Sequence, residues 1–222
     1  MCNLYSITTN QDAIRRLFGV TADSAGNLSS MPGVFPDYEA PVVRAQNGQR
    51  ELIKMRWGMP APLRTGFAIP HHLTGAAGCS QKTAAWFPST ALPSTPPEAN
   101  PASGKKDVVW FALDEARHPF AFAGIWTTFN GHRGPKSKPV PGPHLVYGFL
   151  TTSPNSIVEP IHPKAMPVIL TTVEEWDAWM RGPSCAAPTR KTKPRRDRSP
   201  ISRDFCFRSR QPGAFRNDVR RR

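Results

Sequence analysis

The sequence predicts an α+β fold: one compact, mixed, β-rich domain with a few helices, followed by a disordered basic C-terminal tail. The chain has 222 residues, of which 39% are hydrophobic, enough for one buried core. Short apolar and aromatic segments separated by Gly and Pro dominate residues 1–62 and 98–181, whereas helical periodicity occurs in two places. We therefore expect a domain over residues 1–181 and a tail over residues 182–222.

The N-terminal part begins with a predicted strand and a predicted helix. The strand covers Leu4–Ile7, and the helix covers Asn10–Phe18 with Asn10 as its N-cap. An apolar stripe at i, i+3 and i+4 spacing supports the helix and is formed by Ile14, Leu17 and Phe18. Pro41–Arg44 and Leu52–Trp57 are then predicted as strands from their β-branched and aromatic content.

The pattern degrades between Leu63 and Pro97. This stretch is rich in Pro, Ala, Ser and Thr and keeps no period of 2 or 3.6 residues. We therefore expect it to be atypical for the domain, with no core of its own and possible disorder.

The strand pattern returns in the second half of the domain. Four segments are apolar enough for buried strands: Val108–Leu113, Phe120–Thr128, Tyr147–Thr152 and Met166–Leu170. A Gly- and Pro-rich loop, Gly131–Pro143, separates the second segment from the third. The last predicted element is a helix over Val173–Met180, with Glu174 and Glu175 in its first turn, where the helix dipole favours negative charge.

The charge of the chain is concentrated in the tail. Residues 183–222 hold 13 Lys and Arg against 3 Asp and Glu, a net charge of +10 that leaves +3 for residues 1–182. Too few apolar groups cluster there to offset chain entropy, so the tail is predicted to be disordered. The excess of positive charge favours a nucleic-acid partner over a membrane.

Four widely spaced cysteines form no CxxC pair, and nothing in the sequence indicates a metal or an organic cofactor. No secretory signal and no long apolar stretch is present, so a cytoplasmic location is expected and membrane insertion is not. Nothing indicates a coiled coil, and a monomer is the expected state.

Cys2 is the first candidate for chemistry. Cytosolic removal of Met1 leaves a residue with a free α-amine and a thiol on adjacent carbons. An aldehyde condenses with the amine to an imine, and the thiol then closes a thiazolidine ring. The α-amine has an ordinary pKa of about 7.7–8.0 and is partly neutral at physiological pH, so it can attack a carbonyl. The alternative is that Cys2 is an incidental small residue.

His162 is the second candidate. It lies among Pro160, Pro163 and Pro167, just before a predicted strand, and these prolines restrict the backbone around the imidazole. A fixed histidine near Cys2 could move protons during imine formation and ring closure. The alternative is a loop histidine without a chemical role.

Several motifs stand in an order that is typical of one family. They are residues 1–6 (MCNLYS), 35–44 (FPDYEAPVVR), 55–60 (MRWGMP), 122–126 (FAGIW) and 149–152 (FLTT), followed by 161–170 (IHPKAMPVIL). The chain resembles the SOS response-associated peptidase family, the abasic site processing proteins. The resemblance covers residues 1–62 and 98–181.

The resemblance implies a mixed, mostly β fold with a basic groove for single-stranded DNA and Cys2 at its floor. It implies a thiazolidine crosslink to abasic sites in single-stranded DNA, with autopeptidase and abasic-site lyase activities. By matching position, Cys2 is the expected nucleophile and His162 the general acid/base. The expected DNA-binding residues are Pro41, Arg56, Trp57 and Thr151, although a core position is the alternative for Trp57. A cytoplasmic, nucleoid-associated protein is expected.

The resemblance fails over residues 63–97. The family has an Asn-x-Arg motif and a catalytic Glu there, and neither is found; Glu98 and Asn100 are the nearest candidates and do not match. A local reading-frame shift is one hypothesis for this stretch and for the tail, because out-of-frame reading of a GC-rich gene gives Ala, Pro, Ser, Thr and Arg without periodicity.

Two other function classes stay open. One is a non-catalytic, basic nucleic-acid-binding protein that acts through its tail. The other is an N-terminal nucleophile amidohydrolase, although these usually continue with Gly and Ile after the Cys, where this chain has Asn3 and Leu4.

Overall fold

A computed structural model describes residues 3–60, 72–74, 84–135, 137–181 and 207–210, with the backbone alone described at 72–74 and 207–210. The strands are β1 (Tyr5–Ile7), β2 (Ala22–Asp23), β3 (Met31–Val34), β4 (Glu39–Gln46), β5 (Gln49–Trp57), β6 (His72–Thr74), β7 (Ala84–Ser89), β8 (Leu92–Ser94), β9 (Val109–Ala112), β10 (Phe120–Phe129), β11 (His144–Thr152), β12 (Met166–Pro167), β13 (Ile169–Leu170) and β14 (Phe207–Arg210). The helices are α1 (Gln11–Leu17) and α2 (Val173–Arg181).

Five strands pair into a closed ring. The pairs β4–β5, β4–β7, β7–β10 and β10–β11 are antiparallel, and β11 returns to β5 in parallel at Val146–Arg56 and Tyr147–Trp57. Strands β2, β6, β12 and β13 extend this sheet, which has nine strands within the described residues. Closure of the ring leaves few unpaired strand edges.

Aromatic side chains fill the centre of the ring. Trp57, Phe122 and Phe149 come from three different ring strands, and Tyr5 of β1 meets them edge-on with ring centroids 5.2, 5.7 and 6.3 Å away. All four are essentially inaccessible to solvent. The N-terminal strand is therefore fixed to the core two residues beyond Asn3.

The two helices cover one face of the ring through a second aromatic cluster. Phe18 follows α1, and its ring lies 4.7 Å from Trp176 of α2 and 5.9 Å from Trp86 of β7. The Trp86 indole donates a hydrogen bond to the Trp176 carbonyl at 3.1 Å.

Both helices begin as the sequence predicts. The Asn10 side chain accepts a hydrogen bond from the Ala13 amide at 2.8 Å, which confirms it as the N-cap. At the start of α2, the Glu175 carboxylate accepts from the amides of Thr171 and Thr172 at 2.7 and 3.2 Å, and Thr172 Oγ1 accepts from the Glu175 amide at 3.3 Å. This reciprocal pair is a capping box.

The prediction of a β-rich α+β domain with a few helices is confirmed by these elements. The predicted strands are found with shifted ends, except that Met166–Leu170 divides into β12 and β13. Sequence periodicity missed β2, which has only two residues, and β3, which contains Pro and Gly.

The expectation of no core between Leu63 and Pro97 is wrong for residues 84–94. Strand β7 is buried along its whole length and lies between β4 and β10 in the ring. Its sequence, AAWFPS, does not alternate because both faces are covered, so it lacks the period of 2 that marks a half-exposed strand. Pro88 is tolerated because the pairing of β7 with β4 covers only Ala85 and Trp86.

The predicted tail lies outside the described residues, apart from β14, whose backbone pairs antiparallel with β9. The reading-frame hypothesis remains a prediction. No described helix is long and apolar enough to cross a membrane.

Candidate functional site

The N-terminal segment is held beside the turn that follows β3. Strands β1 and β3 pair antiparallel, with Tyr5 opposite Val34. Gly33 fits closely between the side chains of Leu4 and Phe35, since a Cβ at that position would lie 3.2 Å from both Leu4 Cδ1 and Phe35 Cε2. Asn3 and Leu4 therefore emerge next to Phe35.

His162 is held from the opposite side by a tight turn. The Asn155 side-chain oxygen accepts hydrogen bonds from the amides of Ile157 and Val158 at 3.1 and 2.9 Å. The His162 amide then donates to the Val158 carbonyl at 2.7 Å. Val158 and Ile161 are buried and anchor the turn in the core, so the backbone that carries the imidazole is fixed.

The two segments share one cavity of about 590 Å³. Its wall is completed by the end of β8 and by residues between β8 and β9. The lining residues are Asn3, Leu4, Phe35, Pro36, Pro93, Ser94, Thr95, Pro96, Pro97, Lys106, Val108, Ile161, His162, Pro163 and Lys164. The fold thus brings Asn3, the residue after Cys2 in the sequence, and His162 to the same cavity.

The surroundings of the His162 imidazole favour its neutral form. Its Nε2 is buried and has no hydrogen-bond partner among the described residues. Burial lowers the pKa of His162 below its ordinary value of 6.5, and the positive charge of Lys164 lowers it further. A neutral imidazole with a free ring nitrogen can accept a proton at neutral pH.

The charged groups of this cavity are all basic. Lys106 and Lys164 are exposed at its rim, and no residue of its lining carries a carboxyl group. Glu98 is exposed outside the lining, and Asn100 donates to Asp107 at 3.0 Å within a separate turn. The cavity therefore suits an anionic ligand.

Arg56, which was predicted to bind DNA, contacts Asp37 in the turn after β3 and Glu39 at the start of β4. Its Nη1 donates to the Asp37 carbonyl at 2.7 Å, and its Nη2 lies 3.2 Å from a Glu39 carboxylate oxygen. Its side chain is 18% exposed. Arg56 thus fixes the turn directly, and any contact with phosphate would compete with these partners.

The other three predicted DNA-binding residues lie outside the cavity lining. Trp57 is fully buried in the ring, so its side chain packs beneath the surface, in the core position considered from sequence. Pro41 is buried in β4 opposite Lys54. Thr151 is partly exposed in β11, opposite Pro167. Cys2 lies outside the described residues.

Sequence patterns missed the turn Phe35–Tyr38, which lies between the cavity and Arg56. Phe35 is 45% exposed and Tyr38 is 52% exposed, unusual for large apolar side chains. The signal was the pair of aromatics in the segment FPDY, whose Pro and Asp indicate a turn but not an exposed surface. Lys106 lies in none of the motifs, and Lys164 lies in the segment 161–170 without having been given a role.

Among the described residues no group of His, Cys, Asp and Glu could hold a metal ion. The fold and cavity define a β-rich protein with a basic pocket between its N-terminal segment and a histidine loop. The model of the SOS response associated peptidase (SRAP) family matches residues 98–199. The resemblance predicted from the motifs is therefore confirmed for this part of the chain, and it indicates a function related to DNA damage and the SOS response.

Solved structures share the fold. A protein from Bordetella bronchiseptica is 19% identical with a TM-score of 0.59, covering 82% of this chain and 90% of its own. A protein from Bacteroides thetaiotaomicron is 17% identical with a TM-score of 0.60, covering 81% of both chains. A phage-related protein from Bordetella bronchiseptica is 13% identical with a TM-score of 0.54, covering 81% and 88%. No curated protein matches the chain.

Proposed function

We propose that this protein processes abasic sites in single-stranded DNA by forming a thiazolidine crosslink through Cys2. The observation that supports it is the cavity shared by Asn3 and His162. A peptide bond keeps the Cα atoms of Cys2 and Asn3 about 3.8 Å apart, so the reacting residue is covalently tied to the cavity wall. The two rim lysines favour a phosphate-bearing ligand.

The chemistry follows from the adjacent amine and thiol once Met1 is removed. The α-amine attacks the ring-opened sugar aldehyde, and loss of water gives an imine. The thiol sulfur then adds to the imine carbon, and the thiol proton ends on the nitrogen. Neutral His162 accepts a proton from the α-ammonium group before attack. It returns this proton to the departing hydroxyl, which leaves as water.

The proposal includes the finer activities implied by the resemblance. Removal of N-terminal residues by the protein itself would expose Cys2, and the imine is the intermediate from which abasic-site lyase cleavage starts. We propose a monomer that acts on single-stranded DNA within the nucleoid, without a cofactor.

The test is a denaturing gel of the full-length protein incubated with an oligonucleotide that carries one abasic site. We expect a shifted covalent band that is lost in Cys2→Ala and formed more slowly in His162→Gln. The matched control replaces Cys79, Cys185 and Cys206 by Ala and should keep the band, because only Cys2 acquires an adjacent free amine. Absence of a band from folded wild-type protein would overturn the proposal.

A second candidate is a non-catalytic nucleic-acid-binding protein. The cavity lining without a carboxyl group and the net charge of +10 in residues 183–222 favour it. It predicts that binding of undamaged single-stranded DNA is unchanged in Cys2→Ala and that no covalent band appears.

A further inference from the structure

The turn Phe35–Tyr38 displays two exposed aromatic rings beside the candidate site. The ring centroids of Phe35 and Tyr38 are 5.6 Å apart, with the planes inclined at 62°. Phe35 lines the cavity of His162, and Tyr38, three residues later in the same turn, does not. Two neighbouring exposed rings beside a cavity offer flat apolar surface that a ligand can contact.

The turn is fixed along its backbone. The Asp37 amide donates to the Trp57 carbonyl at 2.8 Å, and the Trp57 amide donates to the Tyr38 carbonyl at 2.9 Å. Within the turn, the Tyr38 amide donates to the Phe35 carbonyl at 3.1 Å. Trp57 is itself fully buried, so the turn is joined to the core of the ring.

Asp37 adds a second layer of support. It has a φ of +70°, a left-handed conformation that Asp adopts more readily than most residues. Its carboxylate accepts from the Gly134 amide at 3.1 Å and lies 3.6 Å from Arg56 and 3.8 Å from Arg133. Arg133 is only 3% exposed, and its guanidinium also donates to the Gly58 carbonyl. A surface held in this way loses little conformational entropy on binding.

We infer that Phe35 and Tyr38 form a stacking platform for the bases that flank the abasic nucleotide in single-stranded DNA. This inference rests on the proposed function. Bases present flat apolar faces that stack on aromatic rings in any sequence, and an abasic nucleotide itself has no base to contribute. Lys106 and Lys164 on the same cavity supply the charge that a neighbouring backbone needs.

The test measures reversible binding in the Cys2→Ala protein, which cannot form the crosslink. Two short oligonucleotides carry the same stable abasic analogue at the centre and the same number of phosphates. One has normal bases on both sides, and the other has the analogue at the neighbouring positions as well. We expect the base-flanked oligonucleotide to bind about 5- to 150-fold more tightly, the range for one stacked base.

Phe35→Leu with Tyr38→Leu should remove this preference, since leucine keeps the apolar surface but has no ring. Val173→Ala, at an equally exposed apolar residue on α2, is the matched control and should keep it. Both rings are exposed, so the midpoint of thermal unfolding should change by about 2 °C or less. Retention of the preference in the leucine variant would overturn the inference.

Two further outcomes keep this inference distinct from the proposed function. Covalent crosslinking by wild-type protein without any preference for flanking bases would leave the proposed function standing and refute the platform. A preference without crosslinking would refute the proposed chemistry and retain the platform. Dimerisation in solution that the leucine variant abolishes, with no preference for bases, would assign the patch to a second copy of the chain and overturn the inference.

Discussion

At the scale of single residues, His162 and the tyrosine pair show how burial sets chemical behaviour. The His162 imidazole has a buried Nε2 without a described partner and sits beside Lys164, so its charged form is disfavoured. Tyr5 and Tyr147 are both fully buried, and their hydroxyls lie 2.5 Å apart. Burial raises the pKa of both phenols, so this pair stays neutral at physiological pH.

The lowered pKa of His162 predicts an acid-sensitive fold. In the unfolded chain the imidazole titrates near 6.5, while the folded protein binds the proton only at lower pH. The unfolded state thus holds more protons between these two pKa values, and stability falls as the pH drops through that window. Denaturant unfolding at several pH values should show wild type losing stability below pH about 6.5 relative to His162→Gln. Parallel pH profiles for the two proteins would contradict this.

The hydrogen bond between Tyr5 and Tyr147 predicts that substitutions of these two residues have non-additive effects on the free energy of unfolding. Tyr147→Phe leaves the buried Tyr5 hydroxyl without its partner, which should cost about 1–3 kcal/mol in the free energy of unfolding. Changing both residues to Phe removes both polar groups, so the double variant should be more stable than the sum of the single effects implies. Chemical denaturation of the four proteins measures the coupling; additive effects would show that the hydrogen bond does not contribute.

At the scale of elements, sequence patterns predict four of the five ring strands and both helix starts, but not the ring strand β7. Asn10 and Glu175 act through local hydrogen bonds, and such signals are present in the sequence itself. Strand β7 is short, lies in a stretch rich in Pro, Ala, Ser and Thr, and does not alternate, whereas the equally buried start of β10 belongs to a longer apolar and aromatic run that was predicted. The closure of β11 onto β5 joins residues about ninety positions apart, and no local pattern encodes it.

The central position of β7 predicts that a substitution in this strand lowers the free energy of unfolding strongly, although the sequence was expected to lack a core there. Trp86 is fully buried and contacts Phe18 and Trp176 between the ring and the helices. Trp86→Ala should lower the free energy of unfolding by about 3–5 kcal/mol, because it opens a cavity and removes a hydrogen bond. Val173→Ala, at a half-exposed site, should change it by about 0.5 kcal/mol or less. Equal effects of the two substitutions in thermal unfolding would refute the central position of β7.

At the scale of the whole molecule, the candidate site follows from a few long-range pairings. The sequence led us to expect that His162 acts beside the N-terminal residues, and β1–β3 pairing together with the Asn155 turn brings Asn3 and His162 to one cavity. Sequence could not predict that Arg56 would be bound to Asp37 and Glu39, since that depends on the register of β4 and β5. The aromatic turn was equally hidden, because its exposure is a property of the assembled surface.

The separation of charge between domain and tail gives a prediction for the intact protein. If the tail supplies nonspecific phosphate contacts, the salt dependence of single-stranded DNA binding should decrease when tail charges are removed, because fewer counterions are released. Six basic residues between 190 and 198 can be changed to Gln in the full-length chain: Arg190, Lys191, Lys193, Arg195, Arg196 and Arg198. The slope of log K against log salt should decrease in magnitude by about 0.7 for each phosphate that the variant no longer neutralises.

The same variant separates binding from chemistry. At saturating DNA its crosslinking rate should equal that of wild type, since Cys2 and His162 are untouched. Its rate at low DNA concentration should fall in proportion to affinity. An unchanged salt slope would show that these six residues do not contact DNA, and would favour the lysines at the rim of the His162 cavity as a source of phosphate binding.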